Sequence, residues 1–410
     1  MNFYNTKVNK VKVGYLSLVF LFLFQVFANF NDFIVIYFFS KVVLGLIGMI
    51  FCLIYLVRFS FTGKLPPHSV WLIFFFTLLL ALATFSSHAV FGQPYISGII
   101  GEVKLTAIFF FFFGLSVLNV AKPNLKEVEA MFVVLGLVCL VGFTMAFILI
   151  NPQSVYTQGS NLVLKDSKGY RFKFQDVFVV IYLFYSIRRF LKGKKKISMF
   201  FTILFILFYE FFYEQERTEL ACIGLVIIWH IVLRAPDIIR VIFICGVAII
   251  LVAIIANPDY FSLLISSVNT SSLDNRAHTF GIADRGVFSS LYHFIFGLGN
   301  LNPLWQGGFS RLYGPDFYLS DIGWIGLIYE FGLIGAIFCL LTYFRVISAV
   351  KTVTNQLNSL LILSIMDYIM VRLILSIISP IIPYYVGIFV SILAITVYLR
   401  RQINHSQNES

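Results

Sequence analysis

The sequence predicts an all-α fold, a polytopic transmembrane helix bundle of about twelve spans with one large extracytoplasmic loop between spans 9 and 10. Two observations predict it. Of the 410 residues, 60% are hydrophobic and 12% are charged, whereas soluble domains have about 45–50% and about 25%. Apolar runs long enough to cross a bilayer, which takes about 20 residues, recur from Gly14 to Tyr398. This composition excludes a water-soluble enzyme.

Each apolar run is predicted to be helical because backbone amides in hydrocarbon must hydrogen-bond within their own segment. The predicted spans are 14–30, 36–57, 68–87, 104–120, 130–150, 174–187, 198–214, 218–233, 239–256, 322–344, 357–379 and 384–399. The first follows Lys7, Lys10 and Lys12 as a signal peptide would, but it has no small-x-small cleavage site and is predicted to remain as a helix. The start of the second is ambiguous because its apolar stretch contains Lys41.

Basic residues predict the orientation of these spans. The net charge is +11, and most of the 30 Lys and Arg fall in alternate short linkers, including RRFLKGKKK (188–196). Basic linkers are retained in the cytoplasm, so both termini are predicted to be cytoplasmic and linkers 151–173 and 257–321 to lie outside. The chain then divides into spans 1–9 (1–256), the large loop (257–321) and spans 10–12 with a tail (322–410). Positive charge placed this way orients a membrane protein and does not predict a nucleic-acid partner.

Arg217 is the first candidate for chemistry. It lies in EQERTEL, at the predicted outer tip between spans 7 and 8, among Glu214, Glu216 and Glu219. An arginine on this side goes against the charge rule. A salt-bridged tip or an arginine that snorkels to the interface explains it equally well.

The large loop supplies further candidates, Arg276, His278, Arg285 and Arg311. The planar fork of arginine suits phosphate oxygens, although an ordinary solvated loop is the simpler interpretation of these residues alone. Asp321 closes the loop at the start of span 10. It is predicted to be the N-cap of that helix, with a general base as the alternative role.

Two other sets of charges stand out. The first outer linker carries Lys165, Lys168, Arg171 and Lys173 against a single acidic residue. Asp367 and Arg372 lie inside span 11, where ionisable residues are functional candidates by default. Their spacing of five does not place them well on one helix face, so each is predicted to face the bundle interior separately.

No cofactor or metal is predicted. The five cysteines each lie alone in an apolar run, which supports neither a disulfide nor a metal site. Walker A, GxSxG, HExxH and dinucleotide fingerprints are absent from the sequence.

Taken together, these features resemble the bacterial O-antigen and capsule polysaccharide polymerases, which share a superfamily with the O-antigen ligases. The segment ERTELACIGLVII (216–228) is similar to the family's arginine-containing hairpin, with Arg217 at the arginine position. In the large loop, NRAHTF (275–280) or DRGVFSSLYHFIFGLG (284–299) resembles the family's arginine followed at a distance by Gly-x-Gly. The segment SDIGWIGLIYEFGLIGAI (320–337) is similar to the motif leading into span 10.

The resemblance implies metal-independent glycosyl transfer on the outer face of the bacterial inner membrane. The donor would be a glycan on undecaprenyl pyrophosphate and the acceptor another lipid-linked repeat unit. Since pyrophosphate is a good leaving group, the protein needs only to orient the reactants and stabilise negative charge. The residues implied for that role are Arg217, Arg276 and Arg285, and Asp321 would activate or orient the acceptor hydroxyl. Substrate binding is assigned to Lys165, Lys168, Arg171, Lys173, Arg311 and His278.

Two alternatives stay open. O-antigen ligases typically have His at the position of Asp321, which favours a polymerase over a ligase. A flippase for lipid-linked oligosaccharides would place its charges along the spans rather than in one outer loop. Expected partners are the lipid-linked glycan, membrane lipid, a chain-length regulator and a flippase.

Overall fold

A computed structural model describes residues 8–27, 29–30, 36, 38–156, 162–166, 169–193, 196–214, 217–234, 270–314, 317–379 and 382–408. Predicted span 9 (239–256) and the start of the large loop (257–269) lie outside these residues. The described residues are helical apart from turns, loops and one short hairpin, which confirms the predicted all-α class.

The first part of the chain is a series of helices separated by short turns. They are α1 (Lys10–Leu23), α2 (Leu44–Thr62), α3 (Ser69–Phe91), α4 (Tyr95–Gly101), α5 (Phe110–Ala121), α6 (Leu125–Leu149) and α7 (Pro152–Val155). A π-helical turn, Phe39–Val43, leads into α2, and a 3₁₀ stretch, Val103–Phe109, leads into α5.

A hairpin and the remaining helices follow. The elements are β1 (Val163–Asp166), β2 (Gly169–Phe172), α8 (Val177–Leu191), α9 (Lys196–Tyr209), α10 (Arg217–Arg234), α11 (Thr270–Val287), α12 (Leu291–Phe296), α13 (Gly308–Tyr313), α14 (Gly323–Leu357), α15 (Leu360–Leu375) and α16 (Val386–Asn408). A π-helical turn, Glu210–Glu214, extends α9, and a 3₁₀ turn, Leu319–Asp321, precedes α14. The strands pair antiparallel, with Lys165 opposite Tyr170.

Within the described residues, seven helices are long and apolar enough to cross a membrane. They are Phe39–Thr62, Ser69–Phe91, Val103–Ala121, Leu125–Leu149, Lys196–Tyr213, Gly323–Leu357 and Val386–His405. This confirms the coarse expectation of several apolar spans. Predicted spans 14–30, 174–187, 218–233 and 357–379 coincide with helices that are shorter or less apolar, so the twelve-span count stays a prediction.

The helices differ in how much of their surface is covered by protein. In α16, 83% of the most apolar window is buried, whereas the corresponding share is 22% for Phe39–Thr62. On α2 the exposed apolar residues Leu46, Ile50, Leu53 and Val57 follow one another at helical spacing and form one face. An uncovered apolar face of this kind suits contact with lipid chains. Helix α16 is therefore central and α2 peripheral.

The end of the large loop that the structure describes is folded onto the bundle. Helices α11 to α13 share a second small core with the start of α14, formed by Ala283, Val287, Leu298, Phe317, Leu319, Ile322 and Tyr329. No residue of α12 is fully buried, and Leu291 on it is 74% exposed.

Helix α14 is broken near its start. Gly332 has φ 68° and ψ 178°, which interrupts the helix two residues after Glu330. A side chain there would collide with the carbonyl oxygen of Ile295, and a positive φ is strained for any other residue. The helix begins one residue after the predicted start of span 10 and continues beyond its predicted end at 344.

Candidate functional site

A buried ionic cluster joins four elements near the break in α14. Glu102 ends α4, Lys104 lies in the 3₁₀ stretch, Glu330 precedes the break, and Tyr384 precedes α16. The Lys104 ammonium contacts Glu330 Oε1 and lies 3.6 Å from Glu102 Oε2. The Tyr384 hydroxyl donates to Glu330 Oε2 at 2.7 Å. The predicted orientation places all four residues near the outer side.

This cluster contains two carboxyl groups but one ammonium group, so it is not a simple ion pair. Glu102 is 2% exposed and Glu330 is 1% exposed, and both carboxyl groups face the one ammonium of Lys104. The ring of Tyr384 adds a cation–π contact, with its centroid 4.6 Å from the same ammonium. Buried ions require partners, and here Lys104 serves two carboxyl groups at once.

Burial changes the proton affinity of the groups that lie outside the spans. Loss of hydration raises the pKa of the Glu102 carboxyl to about 8; the neighbouring Lys104 opposes the rise and the charge of Glu330 adds to it. The hydrogen bond from the Asn300 side chain also opposes the rise in this pKa. Asp321 lies close enough for its charge to act on the Tyr384 hydroxyl. The cluster therefore favours a protonated carboxyl group.

The segment 296–302, here called the docking segment, covers this cluster. The Asn300 side-chain amide donates to Glu102 Oε1 at 2.8 Å. The backbone N–H of Leu298 donates to the carbonyl oxygen of Tyr329 at 2.7 Å, just before the break in α14. Glu102 and the broken helix are thus both held by the docking segment.

Helix α3 and the turn after it hold the other side of the docking segment. Gln93 donates from Nε2 to the carbonyl oxygen of Asn300 at 3.1 Å and accepts from the backbone N–H of Asn302 at 2.8 Å. The Ser86 hydroxyl donates to the carbonyl oxygen of Phe296 at 3.0 Å. These bonds satisfy backbone groups that would otherwise be buried without partners.

Two glycines let the docking segment approach this closely. Gly297 and Gly299 have φ of 82° and 86°. A Cβ on Gly297 would lie 2.6 Å from the backbone nitrogen of Gly332, and one on Gly299 would meet the backbone of Ser87 and Ala83. Gly297 and Gly299 form the Gly-x-Gly pattern noted in the sequence. This pattern therefore lies where the docking segment contacts α14 and α3.

The predicted arginines of the large loop lie on one helix but do not meet. Arg276 and Arg285 are both on α11, and nine residues separate their positions in the sequence, which is about two and a half turns. They consequently project from opposite sides of the helix. Arg276 is half-buried, and the exposed Arg285 donates from Nε to the carbonyl oxygen of Gly281 at 2.9 Å.

The other predicted binding residues are spread over separate elements. His278 and Arg311 are exposed, and Arg311 Nη1 lies 3.4 Å from Gln306 Oε1. Lys173 is half-buried, and its carbonyl oxygen accepts from Asn29 Nδ2 at 3.1 Å. Lys165 and Arg171 belong to the hairpin, but their side chains and the whole of Lys168 lie outside what the structure describes.

The predicted capping role of Asp321 is wrong. Helix α14 begins at Gly323, and the residue at its N-cap, Ile322, makes no side-chain capping bond. Asp321 lies in the preceding 3₁₀ turn, where the Ser320 hydroxyl is 3.4 Å from Asp321 Oδ1. The loop tightens before the helix starts, so the carboxyl group is displaced from the capping position. Its half-buried side chain remains a candidate base beside Tyr384.

A second buried cluster anchors the helix that begins with Arg217. The Arg372 guanidinium donates from Nη1 to Glu219 Oε2 at 2.8 Å and from Nη2 to Asp176 Oδ1 at 2.7 Å. Glu219 lies in the first turn of α10, so this contact ties the start of α10 to α15 and to the residue that precedes α8. The side chain of Arg217 lies outside the described set.

Asp367 and Arg372 face the bundle interior in separate pairs, as predicted. Asp367 accepts from Arg188 Nε and Nη2 at 2.7 and 2.8 Å, a bidentate pair between α15 and α8. Arg188, Asp367 and Arg372 are all buried. Each ion pair therefore links parts of the chain inside the bundle.

The sequence analysis missed Glu102, Lys104 and Glu330 as functional candidates. A signal was present, because Lys104 and Glu330 lie inside predicted apolar spans and charged residues there are rare and functional. Among the described residues, no group of three or more His, Cys, Asp or Glu could hold a metal ion.

Comparison with known proteins gives no relative. No family model matches the chain, and no curated protein or solved structure is significantly similar to it. The resemblance to polysaccharide polymerases therefore rests on the motifs alone.

Proposed function

We propose that this chain is a metal-independent membrane glycosyltransferase that polymerises undecaprenyl-pyrophosphate-linked oligosaccharide repeat units. It would act on the outer face of a bacterial inner membrane, within a twelve-span bundle whose large loop lies between spans 9 and 10. The observation that carries the proposal is the layer formed by α11 to α13, which is packed on the bundle and includes the exposed His278, Arg285 and Arg311. Exposed guanidinium groups beside a lipid-facing bundle suit a lipid with an anionic headgroup.

In the proposed reaction, the acceptor hydroxyl oxygen forms a bond to the anomeric carbon of the donor glycan. The bond between that carbon and the pyrophosphate oxygen breaks, and undecaprenyl pyrophosphate leaves with the electron pair. Asp321 accepts the hydroxyl proton. Arg217 and Arg285 neutralise the charge that develops on the pyrophosphate, whereas Arg276 projects from the opposite side of α11.

The test replaces the arginines one at a time in cells that make the polymer. We expect Arg217→Ala and Arg285→Ala each to abolish chain extension while single repeat units are still displayed, because the leaving group loses a cation. The readout is polymer length on gels at equal protein abundance. Arg58→Ala is the matched control, since this arginine is exposed at the predicted cytoplasmic end of α2.

Wild-type polymer length in either variant at equal abundance would contradict the assigned role. Full-length polymer that is made but not attached to its final acceptor after deletion of the gene would instead indicate an O-antigen ligase. That outcome separates the two family members.

A flippase is the second candidate function, and one observation favours it. Helix α14 is broken at Gly332 beside a buried ionic cluster, and broken helices with buried charge line the substrate sites of many transporters. Deletion of the gene decides between a flippase and a polymerase. A flippase predicts that repeat units accumulate on the cytoplasmic face, whereas a polymerase predicts single units outside.

A further inference from the structure

We propose that Glu102 and Glu330 form a proton-binding carboxyl pair, and that the proton they share holds the docking segment 296–302 against the bundle. The ligand of this site is a proton from the outer medium. The proposal does not depend on the proposed glycosyl transfer, since it concerns the folded chain without substrate.

The geometry supplies a place for one proton. Glu102 Oε1 accepts from Asn300, whereas Glu102 Oε2 is buried and makes no hydrogen bond, with only the Lys104 ammonium at 3.6 Å. Two ionised carboxylates against one ammonium would leave a net negative charge in a buried site. A proton on Glu102 Oε2 removes that charge and gives the carboxyl group a donor.

The charged and titratable groups around Glu102 come from each element packed against it. Lys104 lies on the adjoining 3₁₀ stretch, Glu330 on α14, and Tyr384 before α16. Lys41 lies close enough to repel Lys104, and Asp321 acts on Tyr384. Helix α3 contributes His88, which stacks on Tyr95 at the start of α4, with 4.1 Å between ring centroids. Of these groups, Lys104 is the one whose positive charge opposes the rise in the pKa of Glu102.

Docking of the segment contributes to the burial of this carboxyl group. Asn300 bonds to Glu102 directly, and the backbone of Asn302 packs on Gly101, where a Cβ would lie 3.5 Å from Asn302 Cα. The Asn300 bond by itself favours the ionised carboxyl group, but burial is the largest influence on the pKa of Glu102 and favours the protonated group. Because the burial to which docking contributes strengthens proton binding by Glu102, linkage requires that the proton strengthen docking by the same factor.

The direction of the pH dependence follows from burial. In the docked state, burial raises the pKa of Glu102 to about 8 from an ordinary value of 4.5. The stabilising effect of the proton is therefore complete at acidic pH and is lost as the pH rises through about 8. Opening of the docking segment reduces the burial of Glu102 and so lowers this pKa, which means that opening becomes more favourable as the pH rises towards about 8, by at most about tenfold per pH unit.

Hydrogen–deuterium exchange of the purified full chain in detergent tests this. After correction for intrinsic exchange, we expect opening of peptides covering 296–302 to increase several-fold between about pH 6 and about pH 8. The side-chain amide in Glu102→Gln has both an acceptor and a donor, as the protonated carboxyl group does, and it does not titrate. Exchange of peptides covering 296–302 in this variant should therefore not change with pH. Glu330→Gln removes the like charge and should move the transition to lower pH.

Glu127→Gln is the matched control. Glu127 is also 2% exposed and accepts from Lys12 at 3.2 Å, but it caps α6 far from the docking segment in sequence and fold. This variant should keep the wild-type pH dependence at 296–302. The proposal is overturned if wild-type exchange there does not change with pH, or if Glu102→Gln changes as the wild type does. Should Glu102→Gln fail to fold, the wild-type series and the direction of the Glu330→Gln shift decide.

Discussion

At the scale of single residues, two buried arginines inside the bundle bind carboxyl groups on other parts of the chain. Arg372 joins α15 to Glu219 on α10 and to Asp176 before α8. Arg188 joins α8 to Asp367 on α15. Buried pairs of this kind specify which helices meet, because removing one partner leaves the other charge buried alone.

Replacement of Arg372 by Met should therefore destabilise the protein by about 3–5 kcal/mol. The substitution keeps much of the side-chain volume but leaves two buried carboxyl groups without their shared cation. Thermal unfolding of the detergent-solubilised protein measures the effect. Arg345→Met is the matched control, since Arg345 is exposed and its guanidinium lies 4.1 Å from the centre of the Trp71 ring, a contact of about 0.5–1 kcal/mol. Equal stability of the two variants would refute the prediction.

The sequence predicted single buried charges better than their partners. Asp367 and Arg372 were predicted to face the interior because charge in an apolar run has nowhere else to go. Their partners Arg188, Asp176 and Glu219 lie more than 150 positions away in the chain. Spacing within one helix carries no information about such pairs, so the structure was needed to find them.

At the scale of elements, the break in α14 is the feature that hydropathy could not predict. Apart from Glu330, the apolar run continues on both sides of Gly332, and glycine in an apolar helix is common. The break depends on the docking segment, whose backbone occupies the space of a side chain. The β-hairpin was also missed, although a run rich in valine, leucine and aromatic residues around a Gly-containing turn is typical of one.

Gly332→Ala should be among the most damaging small substitutions in the chain. An alanine there is held at φ 68° and ψ 178°, a region that glycine alone normally occupies, which costs about 1–3 kcal/mol. Its Cβ also meets the Ile295 carbonyl, so overpacking adds about 1–3 kcal/mol. We expect a lower unfolding temperature and faster exchange at 296–302. Gly142→Ala on α6 is the control, since a Cβ at Gly142 has no neighbour within 4 Å. A Gly332→Ala protein as stable as this control would show that the docked backbone is not close-packed.

At the scale of the whole molecule, the sequence predicted the environment of the chain more completely than its architecture. Composition alone placed most of the surface in lipid, and the exposed apolar face of α2 agrees with this. The orientation rests on the positive-inside rule. It cannot be read from helix packing, which is the same whichever side faces the cytoplasm.

Cysteine labelling tests the orientation. Leu304, between the docking segment and α13, is 88% exposed, and Val120, at the end of α5, is 84% exposed. A membrane-impermeant thiol reagent added to spheroplasts should label Leu304→Cys at once but label Val120→Cys only after permeabilisation, because the two positions lie on opposite predicted sides. The wild-type chain, whose described cysteines are buried, measures the background. The opposite pattern would invert the orientation and place the candidate site in the cytoplasm.

The contact between Gly297 and Gly332 also limits how this protein can be engineered. The two glycines belong to different layers, yet neither backbone could keep its path if the other carried a side chain. The outer layer is consequently not a detachable module. A chimera that exchanges this layer for one from another protein would have to transfer the first turns of α14 as well, and a deletion that shortens the layer would leave the broken helix without the backbone that fills its gap.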